Sequence, residues 1–284
     1  MDEVGLGKQL QSARKKAGLT QQDLCYKAKL SYSTLAKIER GAIKAPSIFT
    51  IQAIAGALGV SLNELMGSIA PATVVSTKYR SKSGIKFIYF DINGCLVSFF
   101  HRAFTELAAD TGASADVIET TFWHYNDAVC RGEMPLNDFN QAMAKQLRMS
   151  KLDWQKYYMA AVEPIQEMNE LVLWTSEYYH VGLLSNIMPG FIDEMLSNKL
   201  LPNVNYSAII DSSKTGSIKP EPQIFEAAQH YTNCEPSEIL LVDDSRANIM
   251  AAEKFGWHVL WFDDYRPGES AARIKDALEL DTTI

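Results

Sequence analysis

Four short motifs in this 284-residue sequence carry side chains able to do chemistry on an anion. Asp91-Ile92-Asn93-Gly94 follows the apolar run IKFIYF, Ser185-Asn186 follows HVGLL, Lys219 sits in SIKPEP, and Asp243-Asp244 closes EILLV. A carboxylate beside a glycine at the end of a buried strand stands where open α/β sheets place their sites, because the glycine lets backbone approach a ligand. A hydroxyl and an ammonium suit negative charge on that ligand. Paired carboxylates are the oxygen ligands that a hard cation takes. Any one of these residues alone reads as a helix cap or a solvated turn; four motifs in order, each at a strand end, point to one site.

Positioning them requires a sheet. Short apolar runs at 85–90, 179–184, 207–211, 238–242 and 258–262 alternate with helical segments, which predicts a parallel sheet buried on both faces. Residues 98–170 lack strand signal and read as several helices inserted after the first strand. The stretch GSIAPATVVSTKYRSKSG, ending at Gly84, is small, polar and basic without a sustained period. It reads as a linker over 68–84 between an N-terminal domain, 1–67, and a C-terminal domain, 85–284.

The N-terminal part is helical throughout, in five short segments. Leu6, Leu10, Ala13 and Ala17 form one face of the first, which Gly18 ends; Thr20 caps the second with Asp23 as its capping-box partner, and Leu24 and Ala28 face inward. Ser31 caps a third helix whose Leu35 and Ile38 point inward, while Tyr32, Ser33, Thr34, Lys37 and Arg40 point outward. A fourth helix follows Pro46 and Ser47, and Ser61-Leu62-Asn63-Glu64 opens a fifth. A short, capped helix, polar outward and preceded by a three-residue turn, has the geometry of a recognition helix in a major groove.

Two resemblances follow from these residues. LTQQDLCYKAKLSYSTLAKIERG (19–41) with APSIFTIQAIAGALGVSLNEL resembles the Cro and cI repressor family over 5–67, a λ-repressor-like helix-turn-helix fold. The resemblance implies base contacts from Tyr32, Ser33, Thr34 and Lys37, backbone contacts from Gln21 and Arg40, and an internal Arg14–Glu39 ion pair. It further implies a homodimer on double-stranded DNA; the alternative is a helical bundle for protein contact. The four C-terminal motifs, with VDDSRANIMAAEKFGW, resemble the haloacid-dehalogenase superfamily from 85 to about 280, a Rossmann-like α/β domain whose inserted helices form a cap. The chain is thus expected to be multidomain.

That second resemblance implies roles. Asp91 would be the nucleophile giving an aspartyl-phosphate, Ser185 would donate to a phosphoryl oxygen, and Lys219 would neutralise charge. Asp244, with Asp243 behind it, would hold Mg²⁺ together with Asp91 and the backbone carbonyl of Asn93. Two positions depart from the family pattern. Phosphatases of the family carry a second Asp two residues after the nucleophile, and Asn93 stands there; Asn248 replaces a further acidic residue. An amide cannot exchange a proton at neutral pH, and losing a general acid/base forfeits about 10²- to 10⁴-fold. Cys95 reads as a small buried substitute for the family's Thr. The cap aromatics Phe122, Trp123, Tyr125, Trp154, Tyr157 and Tyr158 read mostly as core, with one or two lining a pocket.

Charge separates the halves. Residues 1–70 hold nine Lys/Arg against five Asp/Glu, whereas 71–284 hold eighteen against twenty-nine, so a basic module precedes an acidic body. No apolar stretch approaches a membrane span, which with the absence of a cleavage signal predicts a cytoplasmic protein. Cys25, Cys95, Cys130 and Cys234 are widely spaced and read as free thiols. The expected function is a DNA-binding transcriptional regulator whose second domain binds a phosphorylated small molecule or dimerises. The alternative is an active Mg²⁺-dependent phosphatase, or a dehalogenase-type hydrolase, carrying a DNA-binding head.

Overall fold

The apolar runs of the C-terminal part form a five-stranded parallel sheet, in the spatial order Ala208–Asp211, His180–Ser185, Phe87–Phe90, Ile239–Asp243 and His258–Trp261. The computed structural model describes residues 3–43, 46–58, 80–278 and 280–281. They fall in two units, Met1–Thr73 and Val74–Ile284.

In the first unit, helices α1 (Glu3–Lys16), α2 (Gln21–Ala28), α3 (Tyr32–Glu39) and α4 (Ile48–Leu58) enclose Leu10, Leu24, Leu35, Ile38, Ile51 and Ile54. Fully burying one such side chain stabilises by about 1.5–3 kcal/mol, so a core this small depends on each. Both expected caps are formed: Thr20 and Asp23 make a capping box, and Ser31 Oγ accepts from Thr34 N–H at 3.1 Å. Gly7 lets α1 lie against the end of α3, since a Cβ there would stand 2.6 Å from the Ile38 carbonyl oxygen. Ala17 departs from expectation: α1 ends at Lys16, and Ala17 is exposed in the turn through Gly18. The expected fifth helix at 61–64 lies outside the described residues.

In the second unit, β2 (Phe87–Phe90) is central, flanked by β3 (His180–Ser185) and β5 (Ile239–Asp243); β4 (Ala208–Asp211) and β6 (His258–Trp261) form the edges. Phe87, Ile88, Tyr89 and Phe90 are all fully buried, as a strand covered on both faces requires. The chain runs from β2 outward through β3 and β4, then crosses to β5 on the other side. This places the topological switch point at the carboxyl ends of β2 and β5, where open sheets bind ligands. Four helices, α5 (His101–Thr111), α6 (Ala115–Cys130), α7 (Leu136–Gln146) and α8 (Trp154–Ala161), follow β2. Their aromatic centre includes Phe104, Phe122 and Trp154, with the Phe122 and Trp154 ring centroids 4.7 Å apart. Helix α9 (Gln166–Tyr178) begins inside the range expected for the cap but packs on β3 and on α14 (Pro267–Ala277).

The last part of the expected linker is not irregular. Arg80 and Ser81, as β1, pair antiparallel with Asp281 and Leu280 of β7 (Leu280–Asp281), which satisfies backbone groups that composition alone leaves unassigned. Residues 68–79 lie outside the described residues. Further helices, α10 (Phe191–Ser197), α11 (Ser212–Thr215), α12 (Pro222–His230) and α13 (Arg246–Lys254), complete the layers.

Candidate functional site

The carboxyl ends of β2, β3 and β5 bring Asp91, Ser185 and Asp243 to the same end of the sheet. Asp91 continues β2 with its N–H donating to the Val242 carbonyl at 2.9 Å. Lys219 Nζ stands 2.9 Å from Asp91 Oδ1 and 2.5 Å from Asp243 Oδ2, and all three residues are buried. One ligand oxygen each from Asp91, Asp243 and Asp244 lies within 4.8 Å of the others. Gly94 has φ +75°, and a Cβ there would stand 2.5 Å from Asp244 Oδ2, so only glycine fits the close approach of this loop to Asp244.

Neighbours hold these groups still. Asn186 clamps the Lys219 backbone from both sides, accepting from its N–H at 2.7 Å and donating to its carbonyl at 2.8 Å. Asn248 donates from Nδ2 to both oxygens of Asp243, at 3.0 and 3.2 Å. A carboxylate at position 248 would add like charge there; the amide supplies donors instead. Trp261 Nε1 donates to the Asp244 carbonyl at 2.7 Å, and the Arg246 guanidinium lies 4.6 Å above the Trp261 ring.

Three carboxylates face one ammonium in this site, and the titration of Asp243, Asp244 and Lys219 reflects that imbalance. Burial, followed by the Asp91 and Asp243 charges, pushes the Asp244 carboxyl well above the usual carboxylate range. Burial pushes Asp243 up as well, with Lys219 offsetting part of it. Burial disfavours the Lys219 ammonium, but Asp243 and Asp91 outweigh it and hold its pKa above the ordinary lysine value. A hard divalent cation fits this donor set, since it would balance the surplus negative charge with oxygen ligands alone. A phosphoryl oxygen fits the unpaired hydroxyl at the end of β3. Ser185 Oγ is buried with no hydrogen-bond partner, and Asp91 Oδ1 has its ion pair with Lys219 but no donor in hydrogen-bonding geometry. Buried polar atoms left unpaired in this way call for a missing partner.

Asn93 is committed elsewhere. Its side-chain oxygen accepts from the Tyr158 hydroxyl of α8. Beside this pair is a cavity of only about 20 Å³, room for roughly one water, lined by Phe100, Phe122, Trp154 and Phe191 among others. Of the cap aromatics singled out in the sequence, Phe122, Trp154 and Tyr158 therefore line the pocket, whereas Trp123 is 46% exposed and Tyr157 bonds Asp110 at the surface. Cys95 is fully buried and burial pushes its thiol well up. All four cysteines are free and buried. The roles of Tyr158, Asn186 and Trp261 in the site were not legible; each depends on a contact distant in sequence.

On the first unit, Tyr32, Ser33, Lys37 and Arg40 are exposed on one side of α3 and Thr34 is half-buried, while Leu35 and Ile38 are buried. Arg14 and Glu39 form a buried ion pair, Nε to Oε1 at 2.7 Å. Gln21 differs from the others: its side-chain amide donates to Glu39 Oε2 at 2.7 Å, inside the same network. Among the described residues no helix is long and apolar enough to cross a membrane.

Comparison with known proteins agrees with both units. Residues 10–65 match the helix-turn-helix family model. The chain is 39% identical over 77 residues to the immunity repressor protein of Bacillus phage phi105, covering 27% of this chain and 53% of that protein, so it spans about half the length of this relative. A HAD-like family hydrolase from Porphyromonas gingivalis matches at TM-score 0.56 and 21% identity, covering 67% of this chain and 98% of that one. A HAD family enzyme from Bacteroides thetaiotaomicron matches at TM-score 0.54 and 19% identity, covering 64% and 95%. Its complex with magnesium and inorganic phosphate matches at 0.51 and 18%, covering 63% and 95%. At these identities the likeness is one of fold. Residues 90–262, more than half of the chain, match the haloacid dehalogenase-like hydrolase family model, and the chain belongs to that family, with a helix-turn-helix region ahead of it.

Proposed function

We propose that this protein is a cytoplasmic, sequence-specific DNA-binding transcriptional regulator. In this reading its haloacid dehalogenase-like domain binds a phosphorylated small molecule and is impaired as a hydrolase. The observation that carries the reading is Asn93: an amide whose oxygen is taken by Tyr158, beside an Asp91–Lys219–Asp243 cluster that keeps its charges and its unpaired Ser185 hydroxyl. With a divalent cation balancing its carboxylates, such a pocket would accept an anion, yet it lacks the side chain that would pass a proton to a leaving group. Tyr32, Ser33, Thr34 and Lys37 would meet base edges, with Arg40 and Gln21 at the backbone, in a homodimer on paired half-sites of double-stranded DNA. The exposed face of α3 and the likeness to a phage repressor support this.

Asp91, Asp244 and the Asn93 carbonyl would hold Mg²⁺, with Asp243 behind them. The ion would supply charge neutralisation for a phosphoryl group. Lys219 would bind and orient the same group, and Ser185 would donate a hydrogen bond to it. A second reading, an active phosphatase with a DNA-binding head, draws on the same intact cluster.

Selection of bound sequences from random duplex DNA tests the proposal, repeated with Mg²⁺ and a panel of sugar and nucleotide phosphates. The expected result is one enriched palindromic motif whose retention changes with a phosphorylated compound. Absence of any enriched motif would overturn the regulator reading.

A further inference from the structure

We propose that this chain takes a phosphoryl group from a small acyl phosphate onto Asp91 and retains it as a long-lived aspartyl phosphate. The inference rests on the phosphate-binding reading above and names the donor class for that site.

The argument starts from the proton supply. A phosphomonoester transfers its phosphoryl group only if the departing alkoxide is protonated, because an alcohol, like water, has a pKa of about 16. The polar side chains that line the cavity beside Asn93 are three amides, Asn93, Asn126 and Asn186, together with the Tyr158 hydroxyl, the Cys130 thiol and the Trp154 indole, whose N–H is far too weak an acid to protonate an alkoxide at neutral pH. No carboxyl and no imidazole is among them. The Tyr158 proton is engaged with Asn93, and Cys130 is buried with its thiol directed to Asn126 Oδ1. An alkoxide would leave into a pocket without a general acid.

An acyl phosphate removes the requirement. A carboxyl-type leaving group has a pKa of about 4 and departs as a stable carboxylate without a proton. The balance is complete: an Asp91 carboxylate oxygen forms a bond to phosphorus, the bond from phosphorus to the acyl oxygen breaks, and the electron pair leaves with the carboxylate. Nothing is oxidised or reduced, and the products are the aspartyl phosphate and a free carboxylate. Ser185 Oγ and Lys219 Nζ are the groups that would receive the phosphoryl oxygens.

Retention follows from the same residue. Breaking the aspartyl phosphate requires a water that gives up a proton, and position 93 holds an amide instead of a carboxylate base. Formation without a general acid is therefore possible, while hydrolysis without a general base is slow.

Intact-mass measurement of the full chain tests this after incubation with acetyl phosphate and Mg²⁺, with glycerol phosphate as the comparison donor. One added phosphoryl group is expected from acetyl phosphate alone. Borohydride trapping should map it to Asp91 in the unaltered chain, Asp91→Asn should abolish it, and Asn93→Asp should shorten its lifetime by about 100-fold. An adduct at another residue, an equal adduct from glycerol phosphate, or an unchanged lifetime in Asn93→Asp would overturn the proposal. If inorganic phosphate raises the melting temperature but acetyl phosphate leaves no adduct, the inference falls and the phosphate site stands. If inorganic phosphate has no effect either, both fall.

Discussion

The Tyr158 hydroxyl donates its hydrogen bond to the side-chain oxygen of Asn93, so a residue of α8 closes directly onto the loop that carries Asp91. The Tyr158 hydroxyl and the Asn93 side-chain oxygen are thereby engaged with each other at the edge of the cavity beside them. A carboxylate at position 93 would accept the same hydrogen bond and would also offer the proton transfer that an amide lacks.

Replacing Asn93 with Asp is therefore expected to raise phosphomonoester turnover by about 100-fold or more, measured as phosphate released by purified protein in Mg²⁺. Asp91→Asn in that background should return it to the baseline. A rate that falls in Asn93→Asp would assign the amide an active part and remove the basis for an impaired hydrolase.

The parts of this molecule legible in its sequence are those whose signal is local. The strands are visible because a strand buried on both faces must be apolar continuously, and IKFIYF yields β2 at Phe87–Phe90. Asp91, Ser185 and the Asp243–Asp244 pair are visible because each follows such a run, whereas Lys219, expected at a strand end, lies in the loop beyond β4 and α11 and is visible only through its SIKPEP motif. Tyr158 is not, because its spacing in α8 is that of any core aromatic and its partner lies 65 residues away. The clamp of Asn186 on Lys219 spans 33 residues and depends on two loops meeting. β1 is too short for a two-residue alternation to register. Gln21 follows a helix cap as expected, yet its amide turns inward to Glu39, where a buried carboxylate has acceptor capacity beyond its arginine.

The carboxylate cluster should make stability and Mg²⁺ response depend on pH in opposite directions. Burial and neighbouring carboxylates raise Asp244 to about 7 and Asp243 to about 6 in the folded, metal-free protein. In an unfolded chain both titrate near a pKa of about 4, so the folded state binds more protons across that window and stability falls as pH rises through it. Lys219 stays charged throughout, its raised pKa mattering only at higher pH. A cation takes the deprotonated forms. Thermal melts are expected to show a larger Mg²⁺-induced rise at about pH 8 than at about pH 5. An equal rise at both values, or none, would rule out the cluster as the metal site.

In the first unit, Glu39 and Lys37 separate folding from recognition, though they lie two residues apart on α3. Glu39 accepts from Arg14 Nε at 2.7 Å, from a second Arg14 nitrogen at 3.0 Å and from Gln21 at 2.7 Å. Glu39→Ala leaves a buried guanidinium without its partner, a loss of about 3–5 kcal/mol, which a small helical core cannot absorb. The helical melting transition of this unit should disappear, and DNA retention with it. Lys37 is exposed, and Lys37→Ala should change stability by no more than about 0.5 kcal/mol. Its effect should fall on DNA instead, as weaker retention with a shallower dependence on salt, read by fluorescence anisotropy across a salt series. Retention that ignores both salt and Lys37→Ala would make α3 a surface for protein contact, because a helix that reads DNA cannot lose a groove-facing cation without cost.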